Sequence, residues 1–221
     1  MKHVFAFFRR HKLEFVEKKH EKDDLYTYSF QPQRPLKHLA GQHGLFLIPG
    51  VVGARPFSLA SAPEEPLVMV GTHIGSNSAY KKALDALEPG QLINMQGPYL
   101  DFIFQDDERP VLMLAQGIGI TPFRSMLLHA QATNRQIPTT LIHVEAEDHT
   151  YRNETEKAAS KALYPTTVEG FQKEATKAAL GAKDAWFYLS GSPRFVKETT
   201  KLLRAQGVEQ HLIKKDSFLG Y

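Results

Sequence analysis

Between Lys12 and about Phe104 the apolar residues come in short runs: KLEFVEKK, LYTYSF, HGLFLI, FSLAS, PLVMVGTH and QLINMQG, separated by Pro, Gly or charged turns. Runs of that length and spacing predict a small antiparallel β-barrel or sandwich. One segment breaks the rhythm. SAYKKALDALEPG sets Ala79, Ala83, Leu84 and Leu87 on one helical face, with Ser78 as cap and Pro89-Gly90 as stop. Another fits poorly. ARPFSLASAP (Ala54–Pro63) should be half buried, yet it opens with a fixed positive charge beside a proline and carries small residues where a core strand would use Val or Ile.

From Arg109 the period changes. RPVLMLAQG reads as a buried strand, TPFRSMLLHAQA as a helix, PTTLIHVE as a strand, AWFYLSG as a strand, SPRFVKETTKLLRAQG as a helix and QHLIKK as a last strand. Such alternation predicts a parallel sheet covered by helices. The acidic turn Asp106–Glu108 marks the boundary, so the expected domains are 1–106, an antiparallel β-barrel, and 107–221, an α/β parallel-sheet domain. Residues 150–180 read as largely helical, where regular alternation would require a further strand.

Composition narrows the chemistry. The 221 residues contain no cysteine, which removes disulfides, thiolate zinc sites and Cys-ligated iron–sulfur clusters together. A net charge of +3 is too small to point to nucleic acid. Basic residues cluster early (Lys2, Arg9, Arg10, Lys12, Lys18, Lys19, Lys22) in what is most often a solvated face and less often a dock for an acidic partner. No apolar run reaches the ~18 residues of a membrane span. The start, MKHVFAFFRRHK, lacks the cleavage site of a signal peptide. A packed strand or turn is expected there in preference to an interfacial contact through Phe5, Phe7 and Phe8, and a cytoplasmic location is expected.

Two turns look built for phosphate. In VLMLAQGIGITPFRSMLLHA a strand passes through Gly117 and Gly119 into a helix, with Thr121 placed to cap it and Pro122 suited to its first turn. Glycines let the backbone approach a bulky anion, and the helix start offers free N–H groups. In WFYLSGSPRFV, Ser190-Gly191-Ser192-Pro193 repeats the geometry after a later strand. Ligands of open parallel sheets bind beyond the carboxyl ends of strands, where both turns fall.

The order AGQHGLFLIPG, ARPFSLASAP, GSNSAYKKALDALEPG, GPYLDF, AQGIGITPFRSML, SGSPRFV, DSFLGY resembles the ferredoxin–NADP+ reductase superfamily of flavin and nicotinamide oxidoreductases, from about Leu13 to Tyr221. The resemblance implies FAD on the first domain and NAD(P)H on the second, with hydride passing from nicotinamide C4 to flavin N5 where the domains meet. Electrons would then go to a separate acceptor, a ferredoxin, a flavodoxin or a small molecule. It implies that Arg55 pairs with the flavin phosphate, that Pro56 fixes the backbone beside it, that Phe57 lies against the isoalloxazine and that Ser58 meets N5. Phe57 stands where the family often has Tyr. Gly75, Ser76, Asn77 and Ser78 would form a second phosphate contact, with His73 either near it or simply on the strand surface. Gly117, Gly119, Thr121 and Pro122 match the nicotinamide-cofactor turn, with Gln116 in place of its first glycine. Ser190, Gly191, Ser192 and Pro193 match the turn beside the nicotinamide, Ser190 standing where many members have Cys. Asp216, Phe218 and Tyr221 match the tail, and Gly41-Gln42 a strand start. Ser58, Thr121 and Ser190 are the expected catalytic positions.

Other constellations carry less. His143, Glu145, Glu147 and His149 alternate along HVEAEDH, but four metal ligands rarely converge along one strand, so no metal is expected. Contact with the adenosine ribose is the preferred use: Glu145 and Glu147 favour NADH, His149 and Arg152 favour NADPH, and NAD(P)H stays open. Phe123, Met126, Leu127 and Ala130 form a core stripe. Two alternatives remain: a flavin reductase that binds flavin loosely, and a non-catalytic or regulatory flavin-binding subunit that keeps the fold.

Overall fold

The structure is a computed structural model that describes residues 10–76, 78–99 and 102–218. The chain divides into two compact units, Met1–Ile103 and Phe104–Tyr221.

The first unit is a curled antiparallel sheet of β1 (Arg10–Lys22), β2 (Leu25–Pro32), β3 (His43–Leu47), β4 (Arg55–Ser58), β5 (Val68–His73) and β6 (Leu92–Tyr99), in the order β4-β3-β6-β1-β2-β5. Bulges between Phe15 and Glu17 and between His20 and Lys22 bend β1, as an extra residue on one strand must. The sheet curls until its edges meet: just past β4, the Ala60 N–H donates to the Met69 carbonyl on β5 at 2.7 Å. Side chains of period 2 fill the inside, with Leu13, Phe15, Tyr28, Phe30, Phe46, Val70, Ile93 and Met95 buried. Helix α1 (Ala79–Asp85) adds Tyr80 and Leu84 to this core. Each fully buried large side chain contributes roughly 1.5–3 kcal/mol. Ser78 caps α1 as its sequence predicts, accepting the Lys81 N–H.

The second unit is a parallel sheet in the order β11-β10-β7-β8-β9. Its strands are β7 (Val111–Gln116), β8 (Thr139–Val144), β9 (Lys161–Leu163), β10 (Trp186–Gly191) and β11 (Ile213–Ser217). Its helices are α2 (Thr121–Ala132), α3 (Arg152–Ala158), α4 (Val168–Gly181) and α5 (Pro193–Ala205). Phe171, Ala175 and Ala179 of α4 join Phe195 and Leu203 of α5 in one cluster with Leu112, Leu114, Phe187 and Leu189 of the sheet. Asp106 is bonded into this unit: its carboxylate accepts the Trp186 Nε1–H at 2.7 Å and the N–H groups of Glu108 and Arg109. The strand missing from residues 150–180 is β9, whose three residues are too few to carry a period. The last strand is preceded by a 3-10 turn over Gln210–Leu212, where sequence reads strand throughout.

Candidate functional site

The second unit's strand order reverses at one place. From β7 the chain steps to β8 and β9 on one side; from β10 it steps to β11 on the other. Outgoing turns that part in this way leave a crevice at the carboxyl edge of the sheet. Both glycine turns lie there, because β7 and β10 are hydrogen-bonded neighbours with Ala115 opposite Ser190.

The two glycines of the first turn do different work. Gly117 has φ +50°, and a Cβ there would meet open space. Its carbonyl lies 2.9 Å from Nε2 of the buried His143, which donates to it. At Gly119 a Cβ would stand 2.3 Å from the Ser190 carbonyl oxygen and 2.9 Å from the Gly191 nitrogen. Gly119 therefore serves backbone-to-backbone packing of one turn on the other, and Gly117 is the one that leaves a face open. Gln116 ties the turns again: its Oε1 accepts the Ser192 hydroxyl at 2.7 Å. Ser192 Oγ in turn accepts the Phe195 N–H and caps α5, with Pro193 in that helix's first turn. The departure from the family's first glycine is thus a strut between the turns. The Gly191 carbonyl accepts the Phe218 N–H at 3.1 Å, which draws the tail to the same edge. Tyr221 lies outside the described residues.

Ser190 is fully buried at this edge, and its hydroxyl has no hydrogen-bond partner among the described residues. An unsatisfied buried hydroxyl costs about 1–3 kcal/mol, a cost that a ligand's polar atom would remove. Thr121 behaves otherwise than expected. Residues Gly117–Ile120 form a 3-10 turn, so α2 is entered through Ile120 and Thr121 is already helical. Its hydroxyl donates to the Ile118 carbonyl and its side chain is buried. Thr121 is therefore not the cap of α2; Pro122 does occupy the first turn.

In the first unit the site is made of long side chains. Arg55 and Phe57 share one face of β4, as alternate strand residues do. The Arg55 guanidinium lies 5.4 Å above the Tyr80 ring, and the Lys81 ammonium 5.1 Å from the centre of the Phe57 ring. Phe57 also meets Phe46 edge-on at 5.5 Å and Tyr80 at 6.1 Å. Tyr80, itself buried, donates its hydroxyl to the Phe46 carbonyl at 3.0 Å, which fixes α1 to β3. Lys81 donates to Thr72 Oγ1. Burial, and then the charge of Arg55, push the Lys81 ammonium down to about 8. Pro56 is exposed on β4; Ser58, on the opposite face from Phe57, is buried across the ladder from His43. Burial lowers the His43 imidazole below its usual value. Tyr80 is foreshadowed by its place three residues before Ala83 on the apolar stripe; nothing in the sequence marks Lys81.

The expected phosphate loop meets a carboxylate. Asp24, between β1 and β2, accepts the Gly75 N–H at 2.8 Å and sits 2.6 Å from His73 Nδ1. A Cβ on Gly75 would lie 2.3 Å from the same Asp24 oxygen, so this glycine admits Asp24. The Gly75 N–H is thus donated to Asp24, and His73 is paired with the same carboxylate. The hydroxyls of Ser76 and Ser78 lie 3.3 Å apart beside it, and Asn77 lies outside the described residues.

The loop after β8 also turns inward. Glu145 accepts the Thr150 N–H at 2.7 Å and the Thr150 hydroxyl at 3.3 Å, while His149 packs on Tyr164 with its Nε2 against the Pro165 carbonyl. Of the four residues expected at a ribose, Glu147 and Arg152 are exposed. No group of three or more His, Cys, Asp or Glu among the described residues is placed to hold a metal, and no helix there is long and apolar enough to cross a membrane.

Residues 113–201 match the family model of the oxidoreductase NAD-binding domain. The chain is 32% identical over 121 residues to an NAD(P)H-flavin reductase of Vibrio harveyi, covering 51% of each. It is 30% identical over 113 residues to the electron transfer component of a 2-halobenzoate 1,2-dioxygenase of Burkholderia cepacia, 50% of this chain and 33% of that one. The chain thus spans about half the length, or less, of these curated relatives. In structure it is similar to a Neisseria gonorrhoeae ferredoxin NADP+ reductase with bound FAD and NADP, with a TM-score of 0.78 and 18% identity over 94% of this chain and 98% of that one. It is likewise similar to a flavohemoglobin from Malassezia yamatoensis, with a TM-score of 0.81 and 20% identity over 95% of this chain and 60% of that one.

Proposed function

We propose that the chain is a member of the ferredoxin reductase-like superfamily of FAD/NAD(P) oxidoreductases, a reading supported by the match of residues 113–201 to the oxidoreductase NAD-binding domain and by the likeness to an NAD(P)H-flavin reductase, and that it takes hydride from NAD(P)H onto a flavin and delivers the electrons to a separate acceptor. One observation carries the reading: two turns at the reversal of the parallel sheet, held together by Gly119 and Gln116, present an open Gly117 and an unsatisfied Ser190 hydroxyl.

The residues present fit both groups. Gly117 leaves room for a pyrophosphate, and Ser190 offers a hydroxyl to a nicotinamide carboxamide. In the first unit Arg55 is exposed and has no carboxylate partner among the described residues, which suits a phosphate. FAD, when bound, supplies the hydride-accepting N5 and the ability to release electrons singly or in pairs. The chain's own part is to bind and orient. Arg55 holds the anionic tail, Phe57 gives an apolar contact for the ring, and Ser58 offers a hydroxyl at the N5 edge. Gln116, Ser192 and Gly119 keep the nicotinamide turns in register, so that orientation is set before binding.

A second reading keeps the same chemistry with flavin as a released substrate. It is favoured by the Gly75 N–H being donated to Asp24, which removes one phosphate contact. Anaerobic mixing of the flavin-loaded protein with NADH and with NADPH tests the main reading. Bleaching of the flavin absorbance by either is expected, and the faster of the two identifies the donor; no bleaching by either overturns it. A yellow protein after purification favours retained FAD, and a colourless one that reduces added flavin favours the second reading.

A further inference from the structure

We infer that Lys81 is the second cation of the flavin site and that, with Arg55, it selects flavins that carry phosphate. This deepens the proposed function and rests on it.

Two positive charges stand here without an ion pair among the described residues, although the Asp24 carboxylate lies within electrostatic reach of Lys81. Arg55 and Lys81 stand on an interleaved pair of aromatic rings, Arg55 over Tyr80 and Lys81 over Phe57, and those rings touch. Neither cation has an ion pair among the described residues; Lys81 has one hydrogen bond, to Thr72. The charged groups acting on Lys81 from the packed elements are Arg55 on β4 and Asp24 between β1 and β2. Asp24, the acid among them, is held by His73 and Gly75. A half-buried ammonium beside an unpaired guanidinium is unfavourable in the empty protein, as the downward push on Lys81 reflects. An anion between the two reverses the balance, because it faces two cations and the cost of their proximity is already met by the fold. The isoalloxazine of oxidised flavin is neutral, so the phosphate-bearing tail is the part of the ligand that answers both charges. Lys81 then replaces the phosphate contact that Asp24 takes from Gly75.

The test titrates flavin-free protein with FAD, FMN and riboflavin, following flavin fluorescence, in wild type, Lys81→Met and Lys81→Arg. Met keeps the stem that packs on Phe57, and Arg keeps the charge. Lys81→Met should weaken FAD and FMN about tenfold or more while riboflavin changes less than about twofold, and Lys81→Arg should restore most of the loss. Wild-type affinity for FAD should fall as pH rises above about 8, because the bound anion favours protonated Lys81, and that slope should vanish in Lys81→Met. Equal weakening of all three flavins, no weakening, or a slope that survives the substitution overturns the role of Lys81 alone. Failure of the wild type to bind any of the three overturns the proposed function with it.

Discussion

The candidate sites of the second unit and of the first are built from opposite materials. The second unit's site is built from backbone and short side chains: two glycine turns, a serine hydroxyl and a glutamine strut, each contact fixed by strands that are hydrogen-bonded neighbours. The other is built from long side chains laid over aromatic rings, with two charges unpaired. Backbone turns owe their shape to the sheet and should tolerate change badly. Stacked cations owe theirs to packing and electrostatics and should respond to charge and pH.

Gly119→Ala should break the comparison most sharply. Its Cβ would lie 2.3 Å from a backbone oxygen that cannot swing aside, so the turns must separate. A loss of about 3 kcal/mol, or roughly 6–12 °C in thermal midpoint, is expected by calorimetry. An unchanged midpoint would show that the turns are not interlocked. Next is His143→Leu, which leaves the Gly117 carbonyl without its donor; about 1.5 kcal/mol and a raised KM for the nicotinamide cofactor are expected, with His143→Gln recovering part of both. Gln116→Ala removes the strut and should cost about 1 kcal/mol, with KM affected more than kcat. Affinity for flavin should be unmoved by all three, since they lie in the other unit.

The smallest effect tests the first unit. Its hydrogen bond with His73 holds the Asp24 carboxyl below its usual value. A depressed carboxylate stabilises the fold above its unfolded pKa, and that contribution is lost as pH falls through the lower folded value. Acid unfolding of the wild type should therefore steepen below about pH 4, and Asp24→Asn should flatten that limb by lowering stability slightly at neutral pH, the two proteins converging in acid. Identical acid limbs would show that the carboxylate is no more than a surface group.

Much of this molecule was legible in one dimension because its signals are local. Period-2 runs before Phe104, strand–helix alternation after Arg109 and the Ser78 cap all follow from side-chain spacing and backbone chemistry within a few residues. The two glycine turns were legible for the same reason, and so was Arg55, whose charge beside Pro56 had no place in a core strand. The sheet order, however, depends on which strands pair, and it alone places the turns side by side. That pairing separates Gly119, a packing glycine, from Gly117, an open one, though the sequence presents them alike. It also turns Gln116 from an anomaly into a strut and engages the Thr121 hydroxyl in a 3-10 turn that no capping rule foresaw. Asp24 lies far in sequence from the residues it touches: 49 positions separate it from His73. Contacts of that span leave no periodic trace, since they arise when β2 pairs with β5 and α1 packs into the curled sheet. The sequence by itself determined the elements, their order and the chemistry of the exposed motifs. Only the tertiary structure decided which charges stand unpaired, because pairing is set by distance in space and not by distance along the chain.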